Sequence, residues 1–317
     1  VSKLIFLKPV LYSLISFVLS AVTIPFFGRV AYKYGIVDKP DGELKPHERI
    51  TPYLGGLSIF VGVLFASPFE IVTKMSLTIL VLLGLYDDIK NLNPKFRLLV
   101  EVFVSVILVF KYIGISIFAP FYIFIVVALI NAVNMMDGLD GVCASVSMVA
   151  AFGLALTVTS QYDRIILFSL IGALLGYLLY NFPPARIFMG DAGSYLIGGV
   201  LSIGLLSGIR GMSANIPSTI SSFIFVSLFF FDLLAGVLRR VLNGRSPFSG
   251  DREHIYDKVY QIIQDKRKTL LMMVFIQFLV FSIGIVGRQN ILFSISGIVV
   301  LFAFFLAIIK WLKLLKY

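Results

Sequence analysis

Charge is scarce in this 317-residue chain, negative charge most of all: Asp, Glu, Lys and Arg make up 14% of it, and only 17 residues are acidic. The one cysteine, Cys143, excludes an internal disulfide and reads as a small packing residue at a helix start. No polar stretch is long enough to bury a core of its own; the longest are 28–52 and 239–269, so no soluble domain fits. Internal repeats, low-complexity tracts and inverted halves are also missing, which argues against a repeat-built transporter. The alternation of a membrane β-barrel is absent, leaving helices to carry the fold.

What is abundant is apolar surface. Hydrophobic residues make up 59% and mean hydropathy is +0.97, more than a soluble globule could hide. Runs near the ~20 residues needed to cross a bilayer recur from end to end. They predict an all-α integral membrane protein, a single polytopic domain over 1–317, with about eleven spans: 9–27, 53–69, 71–86, 98–116, 118–134, 143–160, 164–180, 193–209, 217–238, 270–287 and 291–310. The first run follows Lys3 and Lys8 as in a signal peptide but lacks a small-residue cleavage site, so it is read as the first membrane helix.

Counting Lys and Arg orients the chain. Loops 28–52, 87–97, 181–192 and 239–268 and the tail after 309 hold 20 of the 27 basic residues, so that side is expected to be cytoplasmic. The N-terminus is then outside and the C-terminus inside, with Trp311 and Tyr317 as interfacial anchors. The net charge of +10 needs no nucleic acid to explain it; anionic lipid and anionic substrate are the fitting partners. Only Glu70 and Asp163 fall in loops on the far side, so the acids gather at one membrane face, where acids default to a functional role.

Four segments at that face could carry chemistry. In LYDDIKNLNPKFR (85–97), adjacent Asp87 and Asp88 repel unless a divalent metal or a nearby Lys or Arg intervenes; as a bare pair they could equally cap the next helix. In NAVNMMDGLDG (131–141), Asn131, Asn134, Asp137 and Asp140 recur every three residues and share one face if the helix continues. Their oxygens suit Mg²⁺ or a nucleobase edge. NFPPARIFMGDAGS (181–194) places Asp191 where small residues open a helix, with Asn181 and Phe188 able to hold a planar ring; its prolines could simply stop a helix. The basic stretch 238–261 offers Arg252 and His254 to phosphate, although a positive-inside loop needs no further role. Loop 28–52 adds Lys45 and His47 as substrate-binding candidates, and Asp232, an acid inside an apolar run, is expected to face the bundle and pair with a base. An acidic, metal-compatible cluster ringed by Arg and Lys beside lipid-facing helices suits phosphoryl transfer from a soluble diphosphate to a lipid.

In order and content these segments resemble the polyprenyl-phosphate N-acetylhexosamine-1-phosphate transferases of the glycosyltransferase family 4 type, over most of the chain. The resemblance implies transfer of a sugar 1-phosphate from a UDP-N-acetylhexosamine, UDP-N-acetylglucosamine by expectation, to undecaprenyl phosphate. UMP is released, as the first membrane step toward a surface polymer such as lipopolysaccharide O-antigen or teichoic acid. It implies Mg²⁺, with Mn²⁺ able to substitute, held by Asp191 and Asp88. Asp87, Asp88, Asp137 and Asp140 become catalytic acids; Asn134 falls at a nucleotide position, Asn181 and Phe188 match the uracil pocket, and Arg252 and His254 the diphosphate and sugar loop. A homodimer in the plasma (inner) membrane, with its active site on the cytoplasmic face, is implied as well.

The basic loop departs from the family pattern, since a histidine cluster common in relatives reads His254-Ile255-Tyr256-Asp257 here. That bears on the sugar more than on the reaction. Direct attack by the lipid phosphate, deprotonated by Asp87 or Asp88, and a covalent aspartyl-phosphate route both remain open. The rival from another class is a transporter or lipid flippase, which predicts acids spread through the membrane depth rather than collected on one face. A CDP-alcohol phosphotransferase is disfavoured because its Asp-Gly, Ala-Arg and paired-Asp spacing is missing.

Overall fold

The computed structural model describes residues 2–38, 50–66, 68, 70–210, 215–247 and 249–316. Its elements run α1 (Ser2–Tyr34), β1 (Val37–Asp38), β2 (Thr51–Pro52), α2 (Gly55–Ala66), α3 (Ile71–Lys90), α4 (Pro94–Tyr112), α5 (Ala119–Met136) and α6 (Val142–Thr157). They continue with α7 (Gln161–Asn181), α8 (Gly190–Arg210), α9 (Ile216–Leu242), α10 (Ile255–Ile263), α11 (Lys266–Gly287) and α12 (Ile291–Leu312). A helix occupies each of the eleven expected segments, and α10 is a short amphipathic addition. Among the described residues seven helices are long and apolar enough to cross a membrane: α1, α5, α7, α8, α9, α11 and α12. Of the others, α2 and α6 are shorter, while α3 and α4 carry charge near their ends. The chain is an all-α, multi-pass membrane protein.

Helix α8 is the axis of the bundle. Its small residues let neighbours approach on every side, and the apolar window it contributes is entirely buried, as expected where packing rather than hydrophobicity drives association in lipid. At the outer surface α1 and α12 bury little and present apolar faces. Of the close approaches, one positions the site: a Cβ on Gly84 of α3 would sit 2.3 Å from the Asp191 carbonyl carbon, so only glycine lets α3 slide against the start of α8.

Chain breaks then deliver polar residues to one end of the bundle. Helix α3 ends at Asn91, in the left-handed region at φ 49°, and Pro94 opens α4 behind Asn93, whose side chain accepts the Lys95 N–H at 2.9 Å. Helix α5 stops at Met136 rather than continuing, so Asp137 is its C-terminal cap and Asp140 lies in the turn before α6. The expectation of four residues along one continued helix face is corrected accordingly: Gly138 lies in the turn after the cap, and Gly141, at φ 74°, is already the N-cap of α6. The two-residue strands β1 and β2 pair antiparallel, and Phe188 N–H donates to Pro52 O at 2.8 Å, so the segment before α8 joins this ribbon.

The two acids expected on the far side are at the opposite end. Asp163 accepts from Tyr112 at 2.8 Å and Ser207 at 2.6 Å, and Glu70 pairs with Lys111 at 2.7 Å.

Candidate active site

At the polar end lies a cavity of about 510 Å³ whose wall includes Asp87, Asp88, Asp137, Asp140 and Asp191. Most of these carboxylates are held by a specific donor. Asp87 is buried, and Arg97, one turn into α4, meets it at 2.6 Å while the Leu92 N–H donates to its other oxygen at 2.6 Å. Asp88 accepts the N–H groups of Asp191 at 2.9 Å and Ala192 at 3.4 Å, so it caps α8 from another helix, where the positive end of the dipole favours an anion. The backbone enters α8 through Gly190 at φ 65°, and a Cβ there would lie 2.4 Å from the Asp88 carboxylate; glycine is required on both counts.

Asp191 is gripped from two sides. Asn134 Nδ2 donates to Oδ1 at 2.7 Å, and Arg97 stands 3.9 Å from Oδ2. Asn134 also reaches Ser194 Oγ at 2.9 Å. Asp140 is buried, accepting from Lys266 Nζ and the Ala185 N–H, each at 3.1 Å. Asp137 differs. Among the described residues no donor reaches its carboxylate, although it lines the cavity. Burial, then the charges of Asp191, Asp88 and Asp140, push its pKa well above the ordinary value.

The remaining sequence candidates divide. Phe188 lines the cavity with Tyr53, ring centroids 6.3 Å apart at 48°. Asn181 also borders it, but its amide is engaged internally, accepting from the Gly141 N–H at 2.8 Å and donating to Ile187 O at 2.7 Å, which clamps two loops together. Arg252 lines the cavity and approaches Gly138 O at 3.4 Å. His254 is not on the cavity wall. It is buried with Nδ1 2.8 Å from Asp232, which finds there the basic partner expected for it. Asn131 turns away from the cavity to Glu101 of α4. Lys45 and His47 lie outside the described residues.

Four residues escaped the sequence reading. Arg97 and Lys266 neutralise Asp87 and Asp140, and Asp38 and Tyr53 come to the cavity edge on the β-ribbon. Arg97 alone was signalled, by the need of an acid pair for a nearby cation.

Among the described residues no three His, Cys, Asp or Glu side chains form a group that could hold a metal. The donors present are carboxylate and amide oxygens, which suit a hard cation completed by waters and ligand oxygens.

Fold and site together define a helical membrane protein with an acidic pocket, bordered by two arginines, at one end of its bundle. Residues 71–209 match the family described as Glycosyl transferase family 4. The chain belongs to that family, the polyprenyl-phosphate N-acetylhexosamine-1-phosphate transferases. It is 31% identical to the "Probable undecaprenyl-phosphate N-acetylglucosaminyl 1-phosphate transferase" of Bacillus subtilis strain 168, over 93% of this chain and 89% of that one. It is 32% identical to the undecaprenyl-phosphate alpha-N-acetylglucosaminyl 1-phosphate transferase of Escherichia coli K12, over 87% and 83%. With the protein of that name from Yersinia pestis it shares 30% identity over 82% and 79%.

Proposed function

We propose that this protein transfers N-acetylglucosamine 1-phosphate from its UDP diphosphate to undecaprenyl phosphate, releasing UMP and opening the synthesis of a surface polysaccharide. The observation that carries this reading is the pocket itself: six carboxylates, with Arg97 and Arg252, converge at one end of a lipid-facing bundle. A soluble nucleotide and a lipid headgroup can meet there.

The donor set fits Mg²⁺, which is commonly bound through one or two carboxylates together with substrate phosphates rather than in an all-protein cage. Asp191 and Asp88 are the residues that would hold it. Bound there, it would neutralise charge on the diphosphate oxygens and on the leaving UMP. Arg252 supplies a forked donor to phosphate from the facing loop, and Phe188 with Tyr53 offers aromatic surface for the uracil. Asp137, whose carboxylate is unpartnered among the described residues, is the group free to take the proton of the lipid phosphate, in place of Asp87, which Arg97 already engages. The excess of basic loops at the pocket end supports a site on the cytoplasmic face of the plasma membrane, the eleven apolar segments support eleven crossings, and family resemblance supports a homodimer.

The test is UMP release by the purified protein in detergent with Mg²⁺, undecaprenyl phosphate and a panel of UDP-sugars, beside Asp191→Asn. Lipid-dependent release with one UDP-N-acetylhexosamine, lost in the variant, supports the reading and names the donor. Silence across the panel from folded protein overturns it.

A further inference from the structure

Below the cavity, Glu101 of α4 is 1% exposed inside the bundle. A carboxylate so placed is strongly penalised by desolvation unless it is paired or hydrogen-bonded, and an apolar residue of similar size would pack at least as well. Its partners explain what it does there. Asn131 Nδ2 of α5 donates to Glu101 Oε2, and the same nitrogen donates to Val127 O at 2.9 Å. Arg97 lies four residues earlier on α4, one turn nearer the cavity, and its charge acts on the Glu101 carboxylate. Asn134 lies three residues later on α5, also one turn nearer the cavity.

The four side chains therefore form two rungs between the same pair of helices. The lower rung is Glu101 with Asn131; the upper is Arg97 and Asn134, which approach opposite oxygens of Asp191 at 3.9 and 2.7 Å. We propose that Glu101 is a positioning residue: through Asn131 it fixes the spacing and rotation of α4 against α5, so that Arg97 and Asn134 hold the Asp191 carboxylate in one orientation. Glu101 is not on the cavity wall and touches no substrate. Its effect passes entirely through Asp191. The inference rests on the metal role assigned above to Asp191.

The experiment compares wild type with Glu101→Gln, Glu101→Ala, Asn131→Ala and the double alanine variant. Three quantities are read: kcat and KM for the UDP-sugar, the Mg²⁺ concentration giving half-maximal rate, and the thermal shift produced by Mg²⁺ alone. Glu101→Gln keeps the acceptor for Asn131 and should stay within threefold of wild type. Glu101→Ala should lower kcat roughly tenfold, raise the half-maximal Mg²⁺ severalfold and shrink the Mg²⁺ thermal shift, with the UDP-sugar KM little changed. Asn131→Ala should do the same, and the double variant should be no worse than either single one. A loss of thermal stability with unchanged Mg²⁺ dependence, or additive effects of the two alanines, overturns the proposal. If Glu101→Ala does not fold, Asn131→Ala with Glu101→Gln carries the same decision. Wild type inactive toward every UDP-sugar, with no Mg²⁺ shift, overturns the assigned reaction and the premise with it; an active wild type with unaltered variants overturns the positioning alone.

Discussion

The carboxylate of Asp88, at the end of α3, accepts the backbone N–H of Asp191 at 2.9 Å, so one acid of the pocket caps the helix that begins with another. The contact makes the mouth of α8 part of the site. Asp88→Asn retains an oxygen acceptor for the cap and should keep the fold, while Asp88→Ala should cost about 1 kcal/mol of stability, the usual worth of such a cap. Both should lose activity by roughly 10²-fold or more, since the charge rather than the cap serves the phosphates. Thermal unfolding in detergent and UMP release separate the two effects; an active Asp88→Asn would reduce Asp88 to a cap.

Among the described residues Arg97 is the only basic side chain in an ion pair with Asp87, which is 5% exposed, while Arg97 itself is 31% exposed. Breaking a fully buried pair costs ~3–5 kcal/mol, and screening of the half-open arginine reduces this, so Arg97→Ala should destabilise by about 2 kcal/mol. Arg97→Lys keeps the charge without the fork and should fall between. Activity should drop further than stability in both, because Asp191 loses the same partner. Equal activity in Arg97→Ala and wild type would remove Arg97 from the site.

How much of this was legible in the sequence depended on distance along the chain. Apolar runs marked every helix but the short amphipathic α10, because in lipid each segment needs its own hydrophobic length. The acids of the pocket were legible for the complementary reason: charge at a membrane edge has few structural uses. Their partners were not. Asp140 meets Lys266 across 126 residues of chain, and Phe188 meets the ribbon carrying Asp38 and Tyr53, pairings that no local pattern encodes. Asn131 misled for a physical reason. Its three-residue spacing to Asn134 suggested a shared ligand, but it sits a turn deeper, where Glu101 offers an acceptor before any substrate could. His254 misled in the same way, its ring being claimed by Asp232.

The turn carrying Asp137 is braced by Tyr256, whose hydroxyl donates to Met135 O at 3.1 Å and stands 2.0 Å from where a Cβ on Gly138 would be. Gly138→Ala must therefore displace a buried ring, at a cost of about 1–3 kcal/mol. Activity should fall in parallel as Asp137 moves. Combined with Tyr256→Ala, which vacates the space, the substitution should be markedly less damaging than the sum of the single effects. Strict additivity in a double-mutant cycle would mean that the ring does not brace the turn.

His254 lies between two acids, Nδ1 2.8 Å from Asp232 and Nε2 3.7 Å from Asp251. Burial alone would lower its pKa, but the nearby charges of Asp232, Asp257 and Asp251 outweigh burial and raise it above the ordinary 6.5. Asp251 is itself fastened by the buried guanidinium groups of Arg239 and Arg240, which hold its pKa low against the opposing effect of burial, so Asp251 stays charged while the imidazole titrates. Because the folded-state value is the higher one, the stabilisation is complete below about pH 6.5 and is lost as pH rises through the raised value, each unit of elevation being worth about 1.4 kcal/mol. His254→Gln, which cannot carry the charge, should show its largest deficit in melting temperature near pH 6, and the gap should narrow toward pH 9. Arg252, on the cavity wall, directly follows Asp251 in the chain, so the KM for the UDP-sugar should rise in the variant over the same low-pH range. A melting deficit constant from pH 6 to 9 would show that the ring acts as a neutral packing group.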